Sequence, residues 1–185
     1  MNKYCFLSIC SAMPLMTVSN LSEAQESSLR HGFVSVPPSR AYLCSAQGGN
    51  LNKNCGSIQY EPQSLEGPKG FPASGPEDGK IASAGHDNYA ALDEQTATRW
   101  HHSNLSTGDN TFTWTLTAPH KTDKWRFFIT KKDWNPNEKL TRDQFDLNKP
   151  LCEQNDEGKV PERTVTIKGC TIPSDYTGYH VILGI

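Results

Sequence analysis

Six histidines are the side chains of this sequence with the widest choice of chemistry, because a neutral imidazole can bind a metal ion or move a proton near neutral pH. His101 and His102 are adjacent, so on a helix they would point to different faces and chelate one ion poorly. His31 begins an apolar stretch, and His120 follows a run of alternating residues at a turn. On the residues alone, these two are the candidate pair for a metal ion, and ordinary structural roles are the alternative.

Residues 1–24 have the pattern of a secretory signal peptide. Lys3 supplies a weakly positive start, and the mostly apolar residues 5–18 are too few to span a bilayer. Ser22-Glu23-Ala24 places small residues where signal peptidase needs them. We therefore expect a secreted protein cleaved after Ala24, with cleavage as late as Arg30 as an alternative. A short buried N-terminal helix is the structural alternative.

Cleavage leaves four of the six cysteines, Cys44, Cys55, Cys152 and Cys170. An even number in an exported chain predicts two disulfides, and there is no C-x-x-C pair of the kind that structural zinc sites use. Three pairings are possible. We favour Cys44–Cys55 and Cys152–Cys170, because each closes a short loop rich in Gly, Asn or Pro.

Composition and motifs exclude several classes of protein. The 18 Lys+Arg and 20 Asp+Glu nearly balance, which argues against a general nucleic-acid binder. Seven Phe, four Trp and six Tyr argue against disorder, and no apolar stretch after the signal predicts a membrane span. The sequence contains no G-x-S-x-G motif of serine hydrolases, no H-E-x-x-H motif of zinc proteases and no phosphate-binding G-x-x-x-x-G-K motif. Glu61 and Glu66 could serve as a hydrolase pair, although nothing in the sequence sets their separation.

The elements that must position these residues are mostly strands. Residues 111–117 alternate strictly, with Phe112, Trp114 and Leu116 on one face, and both tryptophans Trp114 and Trp125 are predicted to lie in the core. His86 is expected in a loop with no partner nearby, and His180 is expected to be structural. Residues 31–34, 125–130, 164–167 and 180–183 are the other predicted strands, and 92–100 a short helix. We expect an immunoglobulin- or fibronectin-III-like antiparallel β-sandwich with a loop-and-short-helix insertion over residues 44–100.

An ordered series of motifs resembles one family over residues 31–185, the bacterial chitin-binding proteins now classed as lytic polysaccharide monooxygenases (auxiliary activity family ten, formerly carbohydrate-binding module family thirty-three). No single motif is unique to the family, but their order is specific. The motifs include His31-Gly32-Phe33-Val34, Pro38-Ser39-Arg40-Ala41-Tyr42, the run from Cys55 to Gly67, Gly79-Lys80-Ile81-Ala82-Ser83-Ala84, Leu92-Asp93-Glu94-Gln95-Thr96, Thr117-Ala118-Pro119-His120 and Trp125-Arg126-Phe127-Phe128-Ile129-Thr130.

The resemblance implies a copper site of the type called a histidine brace. His31 would supply its free α-amine and one ring nitrogen, and His120 a second ring nitrogen, a donor set that suits copper. The methyl group of Ala118 would restrict an axial position, and Glu66 would be the nearby carboxylate that steers the reduced oxygen species. A flat polar face would hold crystalline chitin through Tyr60, Glu61, Gln63 and Ser64, although packing in the core is the alternative for Tyr60.

The sequence departs from the family pattern at both ends. The brace needs His31 as the first residue, whereas cleavage after Ala24 would leave residues 25–30 attached. Relatives continue past the strand matching residues 180–183 into one more strand, so we predict a C-terminally truncated domain with an uncovered sheet edge.

The function predicted from the sequence is oxidative cleavage of chitin by a secreted copper enzyme, which we expect to be a monomer that uses an external electron donor. A chitin-binding module without catalysis and an inactive truncated remnant are the alternatives.

Overall fold

The computed structural model describes residues 31–185, and within them the chain forms six strands, one α-helix and four short 3₁₀ helices (η). In chain order these are β1 (His31–Val36), α1 (Arg40–Cys44), η1 (Gly56–Tyr60), η2 (Pro62–Ser64), η3 (Asp87–Asp93), β2 (Gly108–Ala118), β3 (Thr122–Ile129), η4 (Arg142–Gln144), β4 (Cys152–Lys159), β5 (Thr164–Ile172) and β6 (Ile182–Gly184). No helix among these residues is long and apolar enough to cross a membrane.

Two antiparallel three-stranded sheets form the predicted sandwich. Sheet 1 has the strand order β1-β2-β5, and sheet 2 has the order β4-β3-β6. The strict alternation of β2 buries Phe112 and Leu116 and packs Trp114 against the same cluster, because successive side chains of a strand point to opposite faces. Trp125 is buried there as well, so the expected core positions of both tryptophans are confirmed. The insertion predicted over residues 44–100 carries η1, η2 and η3.

Three elements differ from the sequence prediction, and one is the last strand, which is Ile182–Gly184 rather than residues 180–183. The strand β4 was not predicted, because its residues Cys-Glu-Gln-Asn-Asp-Glu-Gly-Lys carry no apolar period, although its side chains alternate between half-buried and exposed. The helix predicted over residues 92–100 is wrong, since the helix is η3 and the backbone turns extended at Glu94. Trp100 Nε1 donates to the Glu94 carbonyl at 2.6 Å and Arg99 Nε donates to its carboxylate at 2.6 Å, so side-chain contacts replace a continued helix.

Both favoured disulfides are present. Cys44–Cys55 ties the end of α1 to the start of η1 across 11 positions of sequence. Cys152–Cys170 spans 18 positions and joins β4 of sheet 2 to β5 of sheet 1. Closing loops of this length stabilises a fold by roughly 3 kcal/mol each, mainly by restricting the unfolded chain. One disulfide therefore holds the insertion together and the other holds the two sheets together.

A gap separates β1, an edge strand of sheet 1, from β6, an edge strand of sheet 2. A cavity of about 570 Å³ lies along it, lined by side chains that include Phe33, Trp114 and Phe127. Among the described residues β6 pairs only with β3, so it forms an edge of sheet 2. Gly184 sits where β6 passes these rings, and a Cβ there would lie 2.7 Å from Phe127 Cε1 and 3.1 Å from Trp114 Cζ2.

Gly184→Ala is predicted to destabilise the fold by about 1–3 kcal/mol, the usual cost of forcing an extra carbon into a packed core. The strain is expected because the buried ring of Phe127 would have to shift to admit a Cβ at this position. Thermal and urea unfolding would measure the change. Gly67→Ala is the matched control, since its Cβ would meet only ordinary contacts at 3.5 Å or more. Equal stability of the two variants would contradict the packing argument.

Candidate metal and polysaccharide site

The pairing of β1 with β2 brings the two candidate histidines to one end of sheet 1. His31 is the register partner of Ala118, the last residue of β2, and Thr117 Oγ1 donates to the His31 carbonyl at 3.3 Å. His120 follows two positions later, in the turn before β3, where Thr122 Oγ1 donates to its carbonyl at 3.1 Å. The strand pairing therefore places His31, Ala118 and His120 at the same end of the sheet.

The two histidine rings differ in the surroundings of Nδ1. His120 Nδ1 lies 3.0 Å from the Lys121 carbonyl oxygen, which can only accept, so Nδ1 carries the proton and the lone pair of the neutral ring is on Nε2. His31 Nδ1 is inaccessible to solvent and has no hydrogen-bond partner among residues 31–185. A buried polar atom without a partner is uncommon and calls for an explanation such as a bound ion. These two rings fit a metal that takes imidazole nitrogen, and copper is such a metal.

Two imidazoles alone make an incomplete site. No group of three or more His, Cys, Asp or Glu side chains gathers in a metal-binding arrangement within residues 31–185. The third donor that the resemblance implies belongs to the main chain, and it is the α-amine of His31. That amine exists only in a chain cleaved between Arg30 and His31.

The predicted polysaccharide face lies on the insertion. Tyr60, the last residue of η1, is 82% exposed, which rules out the core packing considered as its alternative. Glu61, Gln63 and Ser64 follow it, all half-buried, and Pro62 begins η2 between them. The exposed ring of Tyr60 can stack on a sugar. The carboxylate, amide and hydroxyl groups beside it can form hydrogen bonds to the polar groups of that sugar.

Tyr89 of η3 lies beneath this face. Its side chain is buried, and its hydroxyl contacts the side chains of Glu61 and Ser64. Burial, followed by the hydrogen bond to Glu61, raises the pKa of the Tyr89 hydroxyl, so the group stays protonated at neutral pH and can donate to the carboxylate. The face is therefore attached to a buried aromatic residue of the insertion core.

The insertion is anchored to the start of the sandwich by Arg40. Its guanidinium donates to the Leu92 carbonyl and to Gln95 Oε1, both at 2.7 Å, and lies 4.6 Å from the Trp100 ring centroid. Burial lowers the pKa of Arg40 to about 10, which leaves it charged at neutral pH. Asn52 adds a further link, donating to the Arg40 carbonyl at 2.9 Å. These contacts fix the insertion relative to β1, which carries His31.

Glu66 follows η2 and is half-buried. The carbonyl oxygen of Glu66 accepts a hydrogen bond from His86 Nε2 at 2.5 Å. The expectation that His86 has no partner is therefore wrong. The sequence offered no signal for this contact, because the two residues are 20 positions apart in irregular chain.

The remaining histidines do not join the site. The ring of His102 stacks on Tyr179 with centroids 3.9 Å apart, and His101 is exposed. His180 lies 3.1 Å from Thr130 Oγ1 through Nδ1 and 3.2 Å from the Thr177 carbonyl through Nε2, which agrees with the structural role predicted for it.

Comparison with known proteins assigns the family. Residues 31–185 match the model of the family described as "Lytic polysaccharide mono-oxygenase, cellulose-degrading", and the chain belongs to this family. Its relatives include GlcNAc-binding protein A of Vibrio vulnificus, 49% identical over 172 residues, and that of Photobacterium profundum, 49% identical over 166 residues. These matches cover 89% and 85% of this chain but only 35% and 33% of the relatives, so the chain spans about a third of their length.

Solved structures agree with the family assignment and with the sandwich fold. An auxiliary activity family ten lytic polysaccharide monooxygenase from Photorhabdus luminescens is 51% identical, with a TM-score of 0.80 over 83% of this chain and 87% of that one. A protein of the former carbohydrate-binding module family thirty-three from Bacillus amyloliquefaciens, solved in complex with Cu(I), is 44% identical with a TM-score of 0.73, over 83% and 89% of the two chains.

His120→Ala is predicted to weaken Cu(II) binding more than about 100-fold in a chain that begins at His31, since even changes in the groups that hold a ligand cost 10–100-fold. Isothermal titration calorimetry would measure the affinity. His101→Ala is the control, because His101 is exposed and its backbone N–H, not its ring, donates the hydrogen bond to Asn52 Oδ1. A chain that keeps Arg30 tests the amine separately and is expected to bind copper weakly. Unchanged affinity in His120→Ala would rule out the brace.

Proposed function

We propose that this chain is a secreted, copper-dependent lytic polysaccharide monooxygenase that cleaves crystalline chitin by oxidation. The observation that carries the proposal is the surroundings of Nδ1 in the two histidine rings at one end of sheet 1. His31 Nδ1 is buried without a partner among the described residues, and His120 Nδ1 is held by Lys121 so that Nε2 carries the lone pair. Family membership and the Cu(I) complex of a relative support copper as the ion.

The residues have separate parts in the proposed reaction. His31 and His120 would hold the copper, which would supply one-electron redox chemistry with dioxygen or peroxide. Glu66 holds or delivers a proton to the reduced oxygen species, and the methyl group of Ala118 narrows access beside the histidines. With dioxygen as co-substrate, an external donor would supply two electrons, so that one oxygen atom enters a C–H bond at a ring carbon of the glycosidic linkage and the other leaves as water with two protons. The hydroxylated carbon would then form a carbonyl as its bond to the glycosidic oxygen breaks, and that oxygen would leave as a hydroxyl group.

Chitin is the proposed substrate because of the chemistry of the exposed face. Tyr60 stacks on a sugar ring, and Glu61, Gln63 and Ser64 bond to hydroxyl and N-acetyl groups. The name of the curated relatives, GlcNAc-binding protein A, supports an N-acetylated sugar. The family description names cellulose, which makes cellulose the competing substrate.

Export is part of the same proposal. We assign residues 1–24 as a signal peptide, which lies outside the described residues, and propose that processing continues to Arg30 so that His31 gains a free amine. Mass spectrometry of the N-terminus of the secreted protein would test this step directly. A secreted chain that begins at Gln25 would leave the polysaccharide face present but the copper site without its third nitrogen.

A chitin-binding module without catalysis is the second candidate. One observation favours keeping it: the face of Tyr60, Glu61, Gln63 and Ser64 stands on the insertion, and none of its contacts needs a free amine at His31.

Tyr60→Ala is predicted to weaken binding to β-chitin about tenfold, because an exposed aromatic ring at a binding face commonly contributes more than about 1 kcal/mol. Depletion assays on insoluble chitin would give the dissociation constant. Leu105→Ala is the control, since Leu105 is also exposed but precedes the start of β2, at the end opposite to Ala118. Equal losses in the two variants would indicate nonspecific adsorption.

Incubation of the copper-loaded chain with β-chitin and a reductant is predicted to release oxidised oligosaccharides, which mass spectrometry would detect. His120→Ala is expected to release none while still binding chitin, because the face is built on the insertion. Chitin binding by the wild type without oxidised products would favour the second candidate. Oxidised products from cellulose alone would overturn the assigned substrate.

A further inference from the structure

The helix η3 runs beside the segment that carries the polysaccharide face and Glu66, and contacts it at several points. Ser57 Oγ donates to the Asn88 carbonyl at 3.1 Å, near the start of the segment. In the middle, the Tyr89 hydroxyl contacts Glu61 and Ser64. At the far end, His86 Nε2 meets the Glu66 carbonyl at 2.5 Å. The position of the segment therefore depends on η3 and on the residue that caps it.

His86 itself is held in place by its backbone and its ring. It is the N-cap residue of η3, its backbone N–H donates to the Ser83 carbonyl at 3.1 Å, and its carbonyl accepts from Tyr89 N at 3.1 Å. The His86 ring meets the Tyr89 ring edge-on, with centroids 5.5 Å apart. Ser83 is fully buried, and its N–H donates to Asp93 Oδ1 at 2.9 Å. An exposed imidazole is thus carried by well-packed backbone.

We propose that His86 is a positioning residue, which holds the Glu66 carboxylate in place by donating from Nε2 to the Glu66 carbonyl oxygen. The inference rests on the proposed function, in which Glu66 serves the reduced oxygen species. A hydrogen bond to the carbonyl fixes the peptide plane that follows Glu66 and limits rotation of the backbone that carries its side chain. Small displacements of a positioned group reduce rates strongly, so such a bond affects turnover even though His86 touches no reactant.

The bond needs one tautomer of His86 and tolerates both charge states. A carbonyl oxygen only accepts, so Nε2 must carry a proton, and it does so both in that neutral tautomer and in the imidazolium. The positioning is therefore expected to persist when His86 gains a proton.

The test compares His86→Phe, which keeps a ring against Tyr89 and removes the donor, with His86→Gln, which restores an N–H donor. In the exported, copper-loaded chain, His86→Phe is expected to lower the initial rate of oxidised-product release about three- to tenfold, the effect of one hydrogen bond. His86→Gln is expected to recover most of the rate. Copper affinity and chitin affinity should stay within about twofold of the wild type, because His86 holds the end of the segment at Glu66, whereas Ser57 and Tyr89 make the contacts at the part that carries the face.

A double-mutant comparison shows whether His86 acts through Glu66. In a Glu66→Gln background, His86→Phe is expected to cause no further loss, because the carboxylate it positions is already gone. The same fractional loss in both backgrounds would overturn the proposal and assign His86 a general structural role. His101→Phe, at an exposed histidine outside the site, is the control for removal of an imidazole.

A measurement that does not depend on enzyme activity distinguishes this proposal from the proposed function. Nitrogen NMR of the His86 ring is expected to show the proton on Nε2 in the wild type at a pH where the ring is neutral. A proton on Nδ1 alone would overturn the positioning role whatever the activity. If the wild type releases no oxidised products, the proposed function fails, whereas the NMR result still decides whether His86 holds the Glu66 carbonyl.

Discussion

The antiparallel pairing of β1 with β2 is the interaction on which the candidate site depends. It sets His31 opposite Ala118 and leaves His120 two residues beyond, in the turn that opens β3. Successive side chains alternate between faces along the regular part of the pairing, and a register shift between His31 and Gly32 places His31 at its irregular end. The register is specified by β2, whose Phe112 and Leu116 must remain in the core. Packing of the sandwich thereby determines the geometry of a site at its end.

The insertion has a different physical basis from the sandwich. Its 3₁₀ helices are too short to be stable alone, and they are held by a disulfide, a buried guanidinium and a cluster around Tyr89, Leu92 and Trp100. Arg40 is central because it stands just after β1 and bonds to Leu92 and Gln95 of the insertion. One side chain therefore links the element that carries His31 to the elements that carry the exposed face. This connection keeps the exposed face of the insertion in a fixed position relative to the candidate metal site at His31.

Much of the fold could be predicted because it rests on apolar periodicity and on cysteine spacing. The alternation of β2, the two local disulfides and the structural role of His180 all follow from neighbouring residues. The strand β4 could not be predicted, because its pairing with β3 and its disulfide replace the missing apolar signal. The contact between His86 and Glu66 was missed for a related reason. It joins two irregular segments whose approach is decided by the packing of Tyr89, which no local pattern encodes.

Binding and redox chemistry have different requirements in this chain. The face of Tyr60 and its neighbours needs the insertion to fold. Contacts that hold the insertion include the Cys44–Cys55 disulfide, the bond from Arg40 to Gln95, and bonds from Gln95 to Pro136 and from Arg142 to Ser74. A copper site of the proposed kind also needs a third nitrogen, because no group of three or more His, Cys, Asp or Glu side chains gathers in a metal-binding arrangement within residues 31–185. An amide nitrogen in an intact peptide bond has its lone pair delocalised into the carbonyl and is a poor ligand when neutral. On the proposed function, the chain therefore acquires its polysaccharide face by folding and its redox chemistry only by cleavage before His31.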